Sequence, residues 1–235
     1  MKRFMNVGGG RNLSSTHAFT LAEVLVTLGI IGVVSAMTVP SLMQNHQRKT
    51  YVTQLHKVYT EFQQAMVQYI TEKNAINLRE AGINSQAAMN DFVTEHFKVI
   101  NSCLTEDTKP CFEDPANYRK ISGASASEFD NEERMMFTLA SGASIRPWYA
   151  NRGVNFIIMV VDTNGMKGPN IYGRDFFDMC IDVNGNIDGC VSAPTAFPLS
   201  SEARDTAFNT FCLGDDNSIQ GCFGKILNDN WEMNY

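Results

Sequence analysis

The 235-residue chain is short of histidine, tryptophan and positive charge: four His, two Trp, and 19 Lys and Arg against 25 Asp and Glu, a formal net charge of −6. Scarce cations argue against generic nucleic-acid binding, because phosphate contacts need Lys and Arg. His17 lies near the start, His46 and His56 sit ten apart on a helical segment and so on different faces, and His96 follows Glu95 without a His-Glu-x-x-His pattern. That removes the helical zinc-hydrolase arrangement. There is no Cys-x-x-Cys, which excludes a zinc ribbon and a thioredoxin-like redox pair. There is no Gly-x-Ser-x-Gly elbow and no Ser-x-x-Lys with its supporting motifs. Gly8-Gly9-Gly10 is not followed by Gly-Lys-Ser/Thr and no strand precedes it, so it reads as flexible chain rather than a phosphate loop. No catalytic residue is named by any motif, and the chain is read as a non-enzyme.

Charge is also missing where it matters most. From Val24 to Met43 no residue is charged, and Leu25, Val26, Leu28, Ile30, Ile31, Val33, Val34, Met37, Val39, Leu42 and Met43 supply the hydrophobicity. A bilayer-spanning helix needs ~20 mostly apolar residues, and this run meets that length. A secretory signal has a shorter core with its small residues after it. Here the small residue Ala18 precedes the core, so a cut there leaves the apolar helix on the protein. Lys2, Arg3 and Arg11 lie ahead with no acid among the first 18 residues, which places that side in the cytoplasm and the C-terminal side outside. Losing them leaves 16 basic residues against 25 acidic ones, a net charge of −9. Glu23 is the exception at the edge of the run. A carboxylate at the edge of a membrane segment costs a few kcal/mol unless it is paired or sits near the first turn of the helix.

The stretch Ala18-Phe19-Thr20-Leu21-Ala22-Glu23, continued to Leu42, resembles the N-terminus of type IV pilins and type II secretion pseudopilins. Phe19, Thr20, Leu21, Glu23, Gly32 and Pro40 fall on the family pattern. The family usually has Gly before the cut, whereas this chain has Ala18. The resemblance implies cleavage between Ala18 and Phe19 by a prepilin peptidase, methylation of the new Phe19 terminus, and pairing of Glu23 with the terminal amine of a neighbouring subunit. Thr20 belongs to the same assembly segment. Each buried charge would be costly alone, and removing one strands the other. The implied partners are other pilin or pseudopilin subunits, the prepilin peptidase, an inner-membrane assembly platform and the membrane, with no nucleic acid. The implied location is a single inner-membrane pass with an exported head that becomes part of a filament. Gly29, Gly32 and Pro40 weaken the helix and mark a kink-prone stretch, while small residues also permit close helix approach.

Six cysteines at 103, 111, 180, 190, 212 and 222 all fall in the expected exported part. An even number there reads as three disulfides. Six cysteines allow 15 connectivities. The local pairs Cys103–Cys111, Cys180–Cys190 and Cys212–Cys222 are favoured because each encloses a polar, turn-rich loop.

Three segments are expected: a leader over 1–18, a membrane or filament-core helix over 19–43, and a helical spine with an exported head over 44–235. After Pro40 the helix becomes amphipathic, with Tyr51, Leu55, Val58, Tyr59, Phe62, Met66, Tyr69 and Ile70 at three- and four-residue steps. A second helix is expected over 84–100, capped by Asn84 or Ser85, with Ala88, Met89, Phe92, Val93, Phe97 and Ile100 inward. Strands are expected over 135–140, 143–149, 154–161, 176–183 and 187–191, the last after an Asn184-Gly185 turn. A helix over 201–211 follows. The fold class is α+β, pilin-like, with a long N-terminal helix packed on an antiparallel β-meander head.

Two loops are rich in oxygen atoms. Asp162, Asn164, Asn170 and Asp175 carry the donors that calcium prefers, although the spacing is not that of an EF-hand. The competing reading is a turn in which Asn, Gly and Pro meet backbone geometry. Asp182, Asn184, Asn186 and Asp188 pose the same choice. No other cofactor is expected. The first functional reading is a structural filament subunit. A tip adhesin using the loops between Cys103 and Ile145, and a membrane-tethered exported enzyme, are the alternatives.

Overall fold

The computed structural model describes residues 20–104, 107–126, 129, 134–192, 194, 196–215 and 218–235. The cut between Ala18 and Phe19 and the methylated terminus lie outside the described residues. Helix α1 runs over Leu21–Glu72 with Pro40 inside it. The chain divides into two units between Asn45 and His46.

In the first unit the apolar side chains from Leu21 to Met43 are exposed on every face. This is the one helix among the described residues long and apolar enough to cross a membrane. A helix that is hydrophobic all round requires apolar surroundings. α1 is continuous through Gly29, Gly32 and Pro40. A Cβ on either glycine would meet no atom within 4 Å, so neither glycine is required by packing inside this chain.

The second unit begins with the amphipathic half of α1. Val52, Leu55, Val58, Phe62, Ala65, Met66 and Tyr69 are buried, and Tyr51, Tyr59 and Ile70 pack against the same core. Two short helices follow, α2 over Leu78–Ala81 and α3 over Gln86–His96. The Ser85 side chain accepts from the Ala88 amide, so Ser85 is the cap of α3. Helix ends at His96, earlier than the apolar pattern indicates, and Val99–Cys103 forms strand β1. Ile100, expected inward, is 62% exposed because strand alternation turns it outward.

The remaining strands and α-helices are β2 (Arg119–Lys120), β3 (Met136–Leu139), β4 (Ser144–Arg152), β5 (Asn155–Asp162), β6 (Ile171–Tyr172), β7 (Phe176–Ile181), β8 (Ile187–Asp188), α4 (Ser201–Ala207) and α5 (Cys222–Asn228), with a 3-10 turn at Pro115–Asn117. A π-helical turn, Phe208–Cys212, continues α4. The sheet order is β1-β3-β4-β5-β7-β6-β2, with β8 on β7. Its centre is antiparallel, with Met159 opposite both Pro147 and Met179. The pairs β2–β6 and β6–β7 are parallel, so the expected pure meander carries a short parallel edge. One face of the centre, including Ile145, Ile157, Met159, Val161, Phe177, Met179 and Ile181, shares a core with the buried stripe of α1. The fold is therefore α+β, a long N-terminal helix followed by a mostly antiparallel sheet.

All three local disulfides form: Cys103–Cys111, Cys180–Cys190 and Cys212–Cys222. Gly173 shows how tightly the last is packed. Its φ is +86°, and a Cβ would lie 2.8 Å from Cys222 Sγ.

Candidate functional site

The N-terminal segment has a defined local geometry from Thr20 onward. The Thr20 amide donates to Glu23 Oε2 at 2.8 Å, and its hydroxyl donates to the same oxygen at 2.9 Å. The Glu23 amide donates to Thr20 Oγ1 at 3.2 Å. This reciprocal pair is a capping box, Thr-x-x-Glu, that satisfies otherwise orphaned amides at a helix start. Glu23 is exposed and no cation partner of it is present among the described residues. In the single chain one oxygen of its carboxylate, Oε2, is thus held by its own helix.

The four oxygen-bearing residues of the first loop come together. The Asp175 carboxylate accepts from the amides of Asn170 (2.9 Å) and Ile171 (2.8 Å) and from Asn164 Nδ2 (3.3 Å). Asp162 accepts from the Asn164 amide at 3.1 Å and from the Tyr118 hydroxyl at 2.9 Å. Both carboxylates are fully buried. Burial, reinforced by the Asp175 charge, pushes the Asp162 carboxyl well above its usual range, and burial also raises Asp175. Asn164 Oδ1, Asn170 Oδ1 and Thr163 Oγ1 are buried without a hydrogen-bond partner. Two carboxylates beside unpartnered amide oxygens fit a hard, oxygen-seeking cation such as calcium. The backbone amides around Asp175 also close the loop without one. No group of three or more His, Cys, Asp or Glu side chains suited to a metal occurs among the described residues.

The second loop is different. Asp182 accepts from the amides of Asn184 and Asn186, each at 2.9 Å, and from Asn186 Nδ2 at 2.8 Å, an Asx-type turn. Asp188 points elsewhere and receives a two-pronged contact from Arg204, Nε at 2.8 Å and Nη2 at 2.7 Å. Its oxygens also accept from the Gly189 and Leu199 amides. This loop is a turn plus a buried ion pair.

Several partners escaped the sequence reading. Tyr118 lies 44 positions from Asp162 and joins it to an aromatic cluster with Phe112, Phe129 and Phe176. Buried Lys120 donates from Nζ to the carbonyls of Phe211 and Ser218. Arg134 and Arg152 stack on Trp148. Trp148 and Arg152 share β4, whereas the Tyr118–Asp162 and Lys120 contacts join positions 44 or more apart. The loops between Cys103 and Ile145 lie partly outside the described residues. No protein-family model, no curated protein and no solved structure matches this chain.

Proposed function

We propose that this chain is a structural subunit of a type IV pilus-like or type II secretion pseudopilus filament. It is made as a precursor, cut between Ala18 and Phe19, held in the inner membrane by the first half of α1, and assembled through that helix. Prepilin peptidase, sibling subunits and an inner-membrane assembly platform are its partners, and the disulfide-bonded head is on the exported side. The reading assigns it no catalysis.

The observation that carries the reading is the placement of one acid, Glu23, at the head of a 20-residue uncharged run whose side chains are exposed all round. The resemblance of Ala18 to Leu42 to the pilin N-terminus supports it. The physical logic is exchange: a terminal amine from another subunit replaces Thr20 as the partner of a carboxylate that cannot stay bare in apolar surroundings.

The capping box supplies a sharp test, because Gln serves in a capping box as Glu does. Glu23→Gln keeps the cap and removes the charge. Thr20→Val breaks the reciprocal cap and keeps the charge. Co-expressed with a prepilin peptidase and an assembly system, Glu23→Gln is expected to insert in the membrane but lose most filament yield, while Thr20→Val keeps most of it. Normal filaments from Glu23→Gln would sink the charge-pairing role.

The same proposal extends to calcium in the head. Asp162, Asn164, Asn170 and Asp175 would hold it, and it would supply positive charge to two buried carboxylates.

A further inference from the structure

Between Glu23 and Glu61 the sequence holds no acid, while Arg48, Lys49 and Lys57 all fall there. The rest of the chain does not share this bias. Only Lys2, Arg3, Arg11 and Glu23 precede His46, which leaves 16 Lys and Arg against 24 Asp and Glu from His46 onward. The first cations after the uncharged run are thus set in an acid-free stretch of an acidic unit. Arg48 comes five residues after Met43 in α1, about 7.5 Å at 1.5 Å per residue.

Arg48 also takes a place on the buried stripe. It stands four residues before Val52 and seven before Leu55, both buried, so it is partly covered whereas Lys49 is exposed. Arg174, at the end of the first oxygen-rich loop, is close enough for the two like charges to repel. Arg174 donates to the Tyr235 carbonyl, and its guanidinium carbon lies 5.3 Å from the Tyr235 ring centre. A carbonyl and a ring are neutral, so neither cancels the charge. Among the described residues, no carboxylate forms an ion pair with Arg48, Lys49 or Arg174. Asp175, next in sequence, is taken up by the amides of Asn170 and Ile171. Both guanidiniums act on the Tyr235 phenol, whose oxygen is enclosed and has no hydrogen-bond partner. Asp229 acts on the same phenol, and Lys225 holds that carboxylate at 2.9 Å. Two partly covered guanidiniums and an unmet hydroxyl therefore meet without a free acid beside them.

Guanidinium forks and a hydroxyl donor suit the oxygens of a phosphate. A membrane segment that ends at Met43 brings Arg48 to the depth of lipid headgroups, because that layer adds roughly 5–7 Å beyond the hydrocarbon on each side. We propose that Arg48, Arg174 and the Tyr235 hydroxyl bind the phosphate of an anionic phospholipid headgroup, with Lys49 adding attraction to the charged surface. A zwitterionic headgroup carries its own cation beside the phosphate and gains less. The site gives an acidic unit a point of attachment on a surface that its net charge opposes. The inference rests on the membrane placement of α1 proposed above.

The test uses the full chain in an uncharged detergent, titrated with short-chain phosphatidylglycerol, short-chain phosphatidylcholine and inorganic phosphate, with bound ligand counted by native mass spectrometry. The Arg48 side chain makes no hydrogen bond or ion pair among the described residues, so Arg48→Gln leaves the fold intact. Saturable binding of phosphatidylglycerol, about tenfold tighter than phosphatidylcholine and weakened about tenfold by Arg48→Gln or Arg174→Gln, is the expected result. Arg48→Lys keeps the charge and should recover part of the binding. Lys57→Gln removes a cation of the same stretch that already pairs with Glu61, and it should leave binding unchanged. Equal binding of the two lipids, binding insensitive to either arginine, or an equal loss from Lys57→Gln would overturn the inference. Inorganic phosphate bound as tightly as phosphatidylglycerol would overturn the lipid assignment. So would an Arg48-dependent dimer without lipid preference, since a carboxylate of a second copy would then be the occupant. Flotation of the full chain with neutral vesicles checks membrane placement separately. A chain that floats but does not prefer phosphatidylglycerol fails this inference alone; a chain that does not float fails both.

Discussion

The two halves of α1 share a backbone and differ in every respect that governs packing. From Leu21 to Met43 the side chains are apolar on all faces and exposed; from Val52 to Tyr69 a narrow stripe is buried and the other faces are polar. Phe62 is 0% exposed and Ile31 is 60% exposed, although both are large apolar residues of one helix. The second half is satisfied by its own chain. The first half is left uncovered among the described residues and is long and apolar enough to cross a membrane. Polar residues between the stripe positions limit how much of the second half needs covering, and that is the physical difference.

The largest expected effect breaks this contrast directly. Phe62→Ala removes a buried ring packed 4.3 Å from Phe97 and should destabilise the head by about 3–5 kcal/mol in denaturant unfolding of the detergent-solubilised chain. Ile31→Ala in the same assay should leave head stability within about 0.5 kcal/mol. Equal losses would mean that the two halves do not differ as described.

A smaller effect sharpens a second contrast, between the two oxygen-rich loops. Arg204→Ala strands the fully buried Asp188 and should cost about 3 kcal/mol in the same unfolding experiment. Arg204→Lys should recover only part of this, because a point charge cannot reproduce the two-pronged contact. An Arg204→Ala head as stable as the parent would show that the amides of Gly189 and Leu199 suffice for Asp188.

The smallest expected effect concerns calcium. At millimolar calcium the Asp162–Asp175 loop should raise the Tm of the head by about 2–4 °C, equivalent to roughly 1 kcal/mol. Asp175→Asn should abolish the shift, and mutation of Asp182 should leave it in place. No shift in the parent protein would leave the first loop, like the second, as a hydrogen-bonded turn.

The elements legible in the sequence were those set by neighbours along the chain. The stripe on α1, the Ser85 cap, the central strands and the three local disulfides all depend on spacings of three to ten residues. The edges of the sheet were not legible. The apolar spacing through Phe97 and Ile100 carries the expected helix to Ile100, yet pairing with β3 claims Val99–Cys103 for a strand. β2 and β6 are two residues each; β2 joins the sheet by parallel pairing with β6 across a separation of 52 positions, and β6 also pairs with β7. The first oxygen-rich loop was recognised by composition, but its main partner, Tyr118, was invisible.

By itself, the sequence determined that this chain has an uncharged apolar helix with one acid at its head, an amphipathic continuation and a disulfide-bonded α+β head. Periodicity, charge and local loop closure are properties of neighbouring residues, so a linear text carries them. Only the tertiary structure decided which carboxylates share a site and which one is claimed by Arg204. Those groups converge because strands distant in the chain pair in a particular register, and register is set by the burial of a whole face at once.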